Sequence, residues 1–291
     1  MISEGKPLLG GIEAGGTKFV LAVGHSSTEI VERHEISTRD PATTLSQAGD
    51  WFEGQGSIKA LGIASFGPVD LDRSSPRWGH ITNTPKPGWA NCNLAGYFAK
   101  RFGVPIGFDT DVNGAALAEY KHGAGKAASS LAYITVGTGI GGGLVLDGKA
   151  VHGAAHAEMG HIFPRRHADD REFEGICPHH GDCLEGLASG PAIKARWGAS
   201  LSELPADHLA HEIIASYLAQ LANSLIAMTA VETIVLGGGV MKTDGLTERV
   251  ARRASELGAE YFPGGSKHKI VSPSLGQNAG LAGALLLAAD L

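Results

Sequence analysis

Two glycine-rich bends, each set between apolar segments of strand length, constrain this chain more than any other feature. The first is Glu13-Ala14-Gly15-Gly16-Thr17-Lys18, between segments 8–12 and 19–23. The second is Gly137-Thr138-Gly139-Ile140-Gly141, between 131–136 and 142–146. Each lies near the start of one half of the chain. In both halves, segments with strand and helix patterns then alternate, as in α/β architecture. Residue identities do not repeat between the halves, so the duplication is one of pattern.

The first half predicts further strands at 29–37, 58–64 and 106–108. It predicts helices at 41–54, 93–102 and 111–122, with Leu45, Trp51, Phe52, Leu94, Tyr97 and Phe98 as candidate buried residues. In the second half Leu209, Ile213, Tyr217, Leu221 and Leu225 recur about every four residues, which predicts a long helix over 207–231. A strand at 233–236, a helix at 246–257 and a closing helix at 278–289, opened by Asn278, complete the pattern.

Glycine supplies 42 of 291 residues, and its concentration beside apolar strands suits loops where backbone approaches a ligand. The chain is 43% hydrophobic and 19% charged, with a net charge of −6. Lys and Arg do not cluster, which argues against a nucleic-acid surface. No apolar run approaches the ~18 residues of a membrane span. Residues 1–7 are polar and lack a signal-peptide core. Three cysteines, an odd number, fit a reducing cytoplasm better than a disulfide framework.

The loops and their neighbours carry the chemistry. Successive N–H groups in the bend Gly15-Gly16-Thr17-Lys18 can form an anion nest, with a hydroxyl and an ammonium beside it; the plain alternative is a hairpin turn. Gly137-Thr138-Gly139 also joins two strands, and the absence of a following helix excludes a dinucleotide fingerprint. Gly237-Gly238-Gly239 follows a strand and precedes a helix, where a nucleotide could lie against backbone. Asp111 stands at a strand-to-helix junction. It can cap the helix or accept a proton during phosphoryl transfer, and the two roles are compatible.

Soft and borderline ligands gather over 158–185. His161, Cys177, His179, His180 and Cys183 provide enough donors for a tetrahedral zinc, flanked by Glu158 and Glu185. The alternative is a surface loop without metal, and spacing does not choose between His179 and His180. Cys92 stands apart and reads as a half-buried structural residue. His25, His122, His208 and His211 read as surface residues.

Together these motifs resemble the ROK family of bacterial sugar kinases, on the actin/hexokinase/Hsp70-like ATPase fold. The resemblance implies a two-lobed α/β protein with a zinc-clipped loop. Residues 1–110 would form an N-terminal lobe on which 278–291 packs back, and 111–277 a C-terminal lobe holding loop 158–185. Gly15, Gly16, Thr17 and Lys18 correspond to the first phosphate motif, Gly137, Thr138 and Gly139 to the second, and Gly237, Gly238 and Gly239 to the adenosine motif. Asp111 corresponds to the catalytic base. Glu158, His161, Glu185, Asn83, Gly67 and Asn113 correspond to sugar-pocket positions, and His161, Cys177, His180 and Cys183 to zinc ligands. Glu13 in place of the usual Asp, and a histidine in place of a third cysteine, are similar to the fructokinase branch. Thr110 departs from the Asn that often precedes the base.

The implied activity is ATP-dependent phosphorylation of a hexose at its primary hydroxyl, with fructose foremost and glucose, mannose or an N-acetyl amino sugar as the rival substrates. ATP, Mg²⁺ and a structural Zn²⁺ are the implied cofactors, and lobe closure would keep water from the phosphoryl group. The implied partners are the sugar, ATP and a second copy in a homodimer, with no nucleic acid and no membrane. Family repressors place a DNA-binding unit before the first phosphate loop. Only about seven residues precede the first strand here, too few for a helix-turn-helix. A non-catalytic zinc module would leave three glycine loops unexplained.

Overall fold

A computed structural model describes residues 6–291; Met1–Gly5, the start of the polar N-terminus, lie outside the described residues. The chain divides into two compact units. One contains residues up to Ala118 with Val151–His156 and Gln277–Leu291; the other contains Glu119–Ala150 and Ala157–Gly276.

In the first unit, β1 (Leu9–Ala14), β2 (Lys18–Ser26) and β3 (Glu29–Ser37) form an antiparallel meander, followed by helix α1 (Pro41–Gly54). Strand β4 (Ala60–Ser65), helix α2 (Leu94–Phe102), strand β5 (Ile106–Thr110) and helix α3 (Asp111–His122) follow. The sheet order is β3-β2-β1-β4-β5, with β4 parallel to both β1 and β5. Period-two alternation sorts side chains between the faces. Ile12, Leu21, Leu61 and Ile63 join Phe52, Leu94 and Phe98 in one core, while Leu9, Val20, Ala22 and Ala60 face the other way. Trp51 and Tyr97 are only partly buried at the edge of the first core.

The second unit repeats this order. Strands β6 (Ser130–Val136), β7 (Ile140–Leu146) and β8 (Lys149–Ala150) form the meander. Helices α4 (Leu184–Ala188), α5 (Gly190–Trp197) and α6 (Ala210–Thr229), strand β9 (Thr233–Gly237), helix α7 (Leu246–Gly258) and strand β10 (Lys269–Val271) follow. The sheet runs β10-β9-β6-β7-β8, the counterpart of β5-β4-β1-β2-β3. Ile213, Tyr217, Leu221 and Leu225 of α6 share one hydrophobic core with Ile134, Val136, Ile234 and Leu236 of the sheet. Leu209, counted in its apolar series, is 48% exposed at the helix start. His211 is buried rather than on the surface, its Nε2 3.1 Å from the Pro205 carbonyl.

The chain closes with α8 (Ala279–Ala289), which belongs to the first unit. It is apolar all round and almost wholly buried, as a helix without a polar face must be. Leu281 and Leu285 meet the small-residue face of the sheet. A Cβ on Gly62 would overlap the Ala284 carbonyl. Asn278 occupies the cap position without a side-chain cap bond; its Oδ1 lies 3.5 Å from an Arg33 nitrogen. Among the described residues no helix is long and apolar enough to cross a membrane.

Candidate active site and metal centre

Parallel strands present their carboxyl ends on one edge of a sheet, and α/β proteins bind ligands there. In the first unit Ala14, Ser65 and Thr110 form one register row across β1, β4 and β5. Just beyond it lie the turn Gly15–Lys18, the Phe66-Gly67-Pro68 turn with its cis Gly67–Pro68 bond, and Asp111. Three of the segments singled out in the sequence thus start from adjacent strand ends.

The first turn is held from outside. Thr38 donates its N–H to the Thr17 carbonyl and its hydroxyl to the Gly15 carbonyl, at 2.9 and 2.7 Å. The N–H groups of Gly16 and Thr17 have no acceptor among the described residues, the condition for an anion nest. Lys18 extends to Glu35 at 2.7 Å, an exposed pair that a phosphate could displace at little cost. Glu13 packs against Gly280. Burial pushes its carboxyl up, against the pull of Lys18 and Arg33.

Asp111 is not the helix cap. Thr110 takes that role, its hydroxyl accepting the Asn113 N–H at 3.1 Å. Asp111 Oδ1 instead accepts the N–H of Val112 at 2.9 Å. Asn113 is buried, and its amide donates to Asp109 at 2.7 Å. Asn83 lies exposed on the loop between β4 and α2.

In the second unit Thr135 and Gly237 share a register row, so the bends 137–139 and 238–239 start from neighbouring strand ends. Gly190, opening α5, donates to the Gly137 carbonyl at 2.8 Å. Thr138, Gly139, Gly238 and Gly239 have N–H groups without an acceptor among the described residues. Gly238 has φ of +96° and lies against the Val136 backbone, so this position needs glycine. Glu185 enters the same region, its Oε2 accepting the Ile140 N–H at 2.9 Å. The carboxylate assigned to the sugar by resemblance also braces the second glycine bend.

The zinc candidates converge. One ligand atom from each of His161, Cys177, His180 and Cys183 lies within 4.8 Å of the others. His161 Nδ1 is 3.4 Å from Cys183 Sγ, 3.9 Å from Cys177 Sγ and 3.3 Å from His180 Nδ1, and Cys177 Sγ is 3.7 Å from His180 Nδ1. Bond lengths of ~2.0–2.1 Å to nitrogen and ~2.3 Å to sulfur place the corners of a tetrahedral zinc site about 3.3–3.8 Å apart, and the four separations above, 3.3 to 3.9 Å, lie close to that. His179 is outside this set. Burial pushes the Cys183 thiol up to about 11, which a bound cation would reverse. The other ring nitrogen of His161 faces Glu158 Oε2 at 4.0 Å, an arrangement in which a carboxylate can orient a metal-binding imidazole. Tyr217 donates to the buried Asp170 at 2.6 Å and Arg166 to Asp182 at 3.1 Å, anchoring the loop independently of metal.

Sequence reading overlooked two histidines, both in the first unit. His152 Nε2 lies 2.9 Å from Asp109 Oδ2, and His156 Nε2 accepts the Val69 N–H at 3.1 Å. Their partners are distant in sequence, so local spacing gives no signal. Cys92 is half-buried, as expected, and burial pushes its thiol to about 11.

Two sheets of one topology, each with glycine bends at its parallel strand ends, define an α/β protein of the actin-like ATPase class. The chain matches the ROK family over residues 9–291 and belongs to it, as its motifs imply. It is 50% identical over 291 residues to a fructokinase of Zymomonas mobilis subsp. mobilis, with 97% of each chain covered. It is 43% identical over 253 residues to a fructokinase of Lactococcus lactis subsp. cremoris, with 87% of this chain and 86% of that one covered. Its fold matches a ROK family glucokinase from Streptomyces griseus in complex with glucose and AMPPNP, with a TM-score of 0.77 and 25% identity, over 98% of this chain and 100% of that one.

Proposed function

We propose that the protein is a fructokinase that transfers the γ-phosphoryl group of ATP to the primary hydroxyl of D-fructose, giving fructose 6-phosphate and ADP. The observation that carries the reading is the row Ala14–Ser65–Thr110, which brings a glycine turn with unused N–H groups and the Asp111 carboxylate to adjacent strand ends. The 50% identity to a fructokinase supports the choice of sugar.

In this reading Asp111 takes the proton of the 6-hydroxyl. The oxygen bonds to the γ-phosphorus as the bond to the β–γ bridging oxygen breaks, and ADP leaves with that electron pair. Gly15, Gly16, Thr17 and Lys18 bind phosphate oxygens, as do Gly137, Thr138 and Gly139. Gly237, Gly238 and Gly239 hold the adenosine. Glu158, His161, Glu185, Asn83, Gly67 and Asn113 contact sugar hydroxyls; Glu185 can brace Ile140 with one oxygen and meet the sugar with the other. Glu13 would help hold the Mg²⁺ that accompanies ATP, which would supply charge neutralisation at the phosphates. His161, Cys177, His180 and Cys183 would hold a structural zinc with no open position, keeping Glu158 and Glu185 aimed. The cytoplasm, where these thiols stay reduced, is the fitting compartment.

The test is product identity. With ATP and Mg²⁺, phosphorus and carbon NMR should show fructose 6-phosphate accumulating with ADP. Phosphorylation at another carbon, or ADP without a sugar phosphate, would refute it.

A further inference from the structure

The six residues Val151–His156 belong to the first unit, although the chain on both sides belongs to the second. None of the roles above uses them. Two are histidines, and each meets a turn at the carboxyl end of a parallel strand.

His152 meets the end of β5. Its Nε2 donates to Asp109 Oδ2 at 2.9 Å. The buried Asp109 uses its other oxygen to accept the Thr110 N–H and the Asn113 amide, both at 2.7 Å. Thr110 in turn caps Asn113. Residues 109–113 are thus tied into one hydrogen-bonded set with Asp111 in its middle. The Asn113 amide nitrogen lies 3.3 Å from His152 Nε2; both are donors to the same carboxylate. His156 meets the end of β4. Its Nε2 accepts the Val69 N–H, two residues past Gly67, and its ring lies 3.7 Å from where a Gly67 Cβ would stand. One histidine acts as donor, the other as acceptor.

Both contacts also satisfy polar groups that would be costly to leave unpaired, which any loop could do. What distinguishes this segment is its targets: the turn bearing the proposed base and the turn bearing a proposed sugar contact. We propose that Val151–His156 is a positioning clip for the acceptor sugar, in which His152 fixes the Asp111 turn through Asp109 and His156 fixes the Gly67 turn. The proposal rests on the assignment of those turns to the sugar. Neither histidine is a catalytic residue; each acts through another.

The experiment measures kcat, both KM values and the melting temperature for His152→Ala, His152→Gln, His156→Ala, His156→Gln, Asp109→Asn and the double variant His152→Ala/Asp109→Asn. The acceptor is whichever hexose the wild type turns over fastest. His156→Ala should raise sugar KM ~5-fold, the worth of one hydrogen bond, with ATP KM within about twofold. His152→Ala should lower kcat/KM for the sugar about tenfold, the worth of a charge-assisted bond. The Gln variants should recover most of each loss, since Gln offers a donor and an acceptor at similar reach. The double variant should be no worse than its worse single. Sugar and ATP KM moving together with melting temperature, additive losses, or no rescue by Gln would overturn the clip alone. A wild type inactive on every hexose would overturn the kinase reading, and the clip with it.

Discussion

Beside Asp111, a different residue caps the helix. Thr110 caps α3 through its hydroxyl, while the Asp111 carboxylate accepts the Val112 N–H, a bond that an asparagine oxygen can also accept. Asp111→Asn should therefore leave melting temperature and sugar KM nearly unchanged while kcat falls roughly 10²-fold or more; near-normal turnover would remove Asp111 from the mechanism. The sequence offered Asp111 as base or cap, and only the Thr110 bond, which depends on one side-chain rotamer, separates the two. His152 lies further from sequence reach, because its partner Asp109 is 43 positions away. The hydrogen bond that His152 donates to Asp109 raises the His152 pKa, with burial opposing. A raised histidine pKa contributes stability that is fully present below the unfolded value, about 6.5, and is lost as pH rises through the folded value. Thermal melts of wild type and His152→Gln across pH 5–9 should show a gap that is widest at low pH and narrows upward. A gap that is constant or widens with pH would exclude the charged pair.

Elements carry the next level of constraint. Helix α8 reaches the sheet through Gly62, where any Cβ would meet the Ala284 carbonyl. Gly62→Ala should cost about 1–3 kcal/mol by overpacking, read in urea unfolding; a neutral substitution would contradict this packing. That requirement was hidden in the sequence, where Gly62 is one small residue inside an apolar strand. The sequence did announce α8 as a closing helix over 278–289. The zinc loop shows the same division. Its donors were legible as residue types, but the preference for His180 over His179 came from resemblance, because spacing carries no information about which imidazole turns inward. Metal analysis should find about one zinc per chain. Cys177→Ser and Cys183→Ser should lose it and raise sugar KM more than ATP KM, with the fold retained through Tyr217–Asp170 and Arg166–Asp182. Metal-free protein of full activity would contradict the role.

At the scale of the whole molecule, one topology is used twice. The two glycine-bent hairpins showed this in the sequence because an antiparallel meander is local, with bend and strands contiguous. Short elements escaped: β8, β10, α4 and α5 have between two and eight residues, too few for periodicity to register. Choice of sugar is also a property of the assembled protein, set by several hydroxyl contacts at once. Each missing partner leaves a buried polar group unpaired, at ~1–3 kcal/mol. The most direct measurement is the rate of sugar-dependent ADP release with fructose, glucose, mannose and N-acetyl hexosamines under matched ATP and Mg²⁺. Fructose should exceed glucose in kcat/KM by at least about tenfold, equivalent to ~1.4 kcal/mol; a better rate with glucose or an N-acetyl hexosamine would contradict the fructokinase reading.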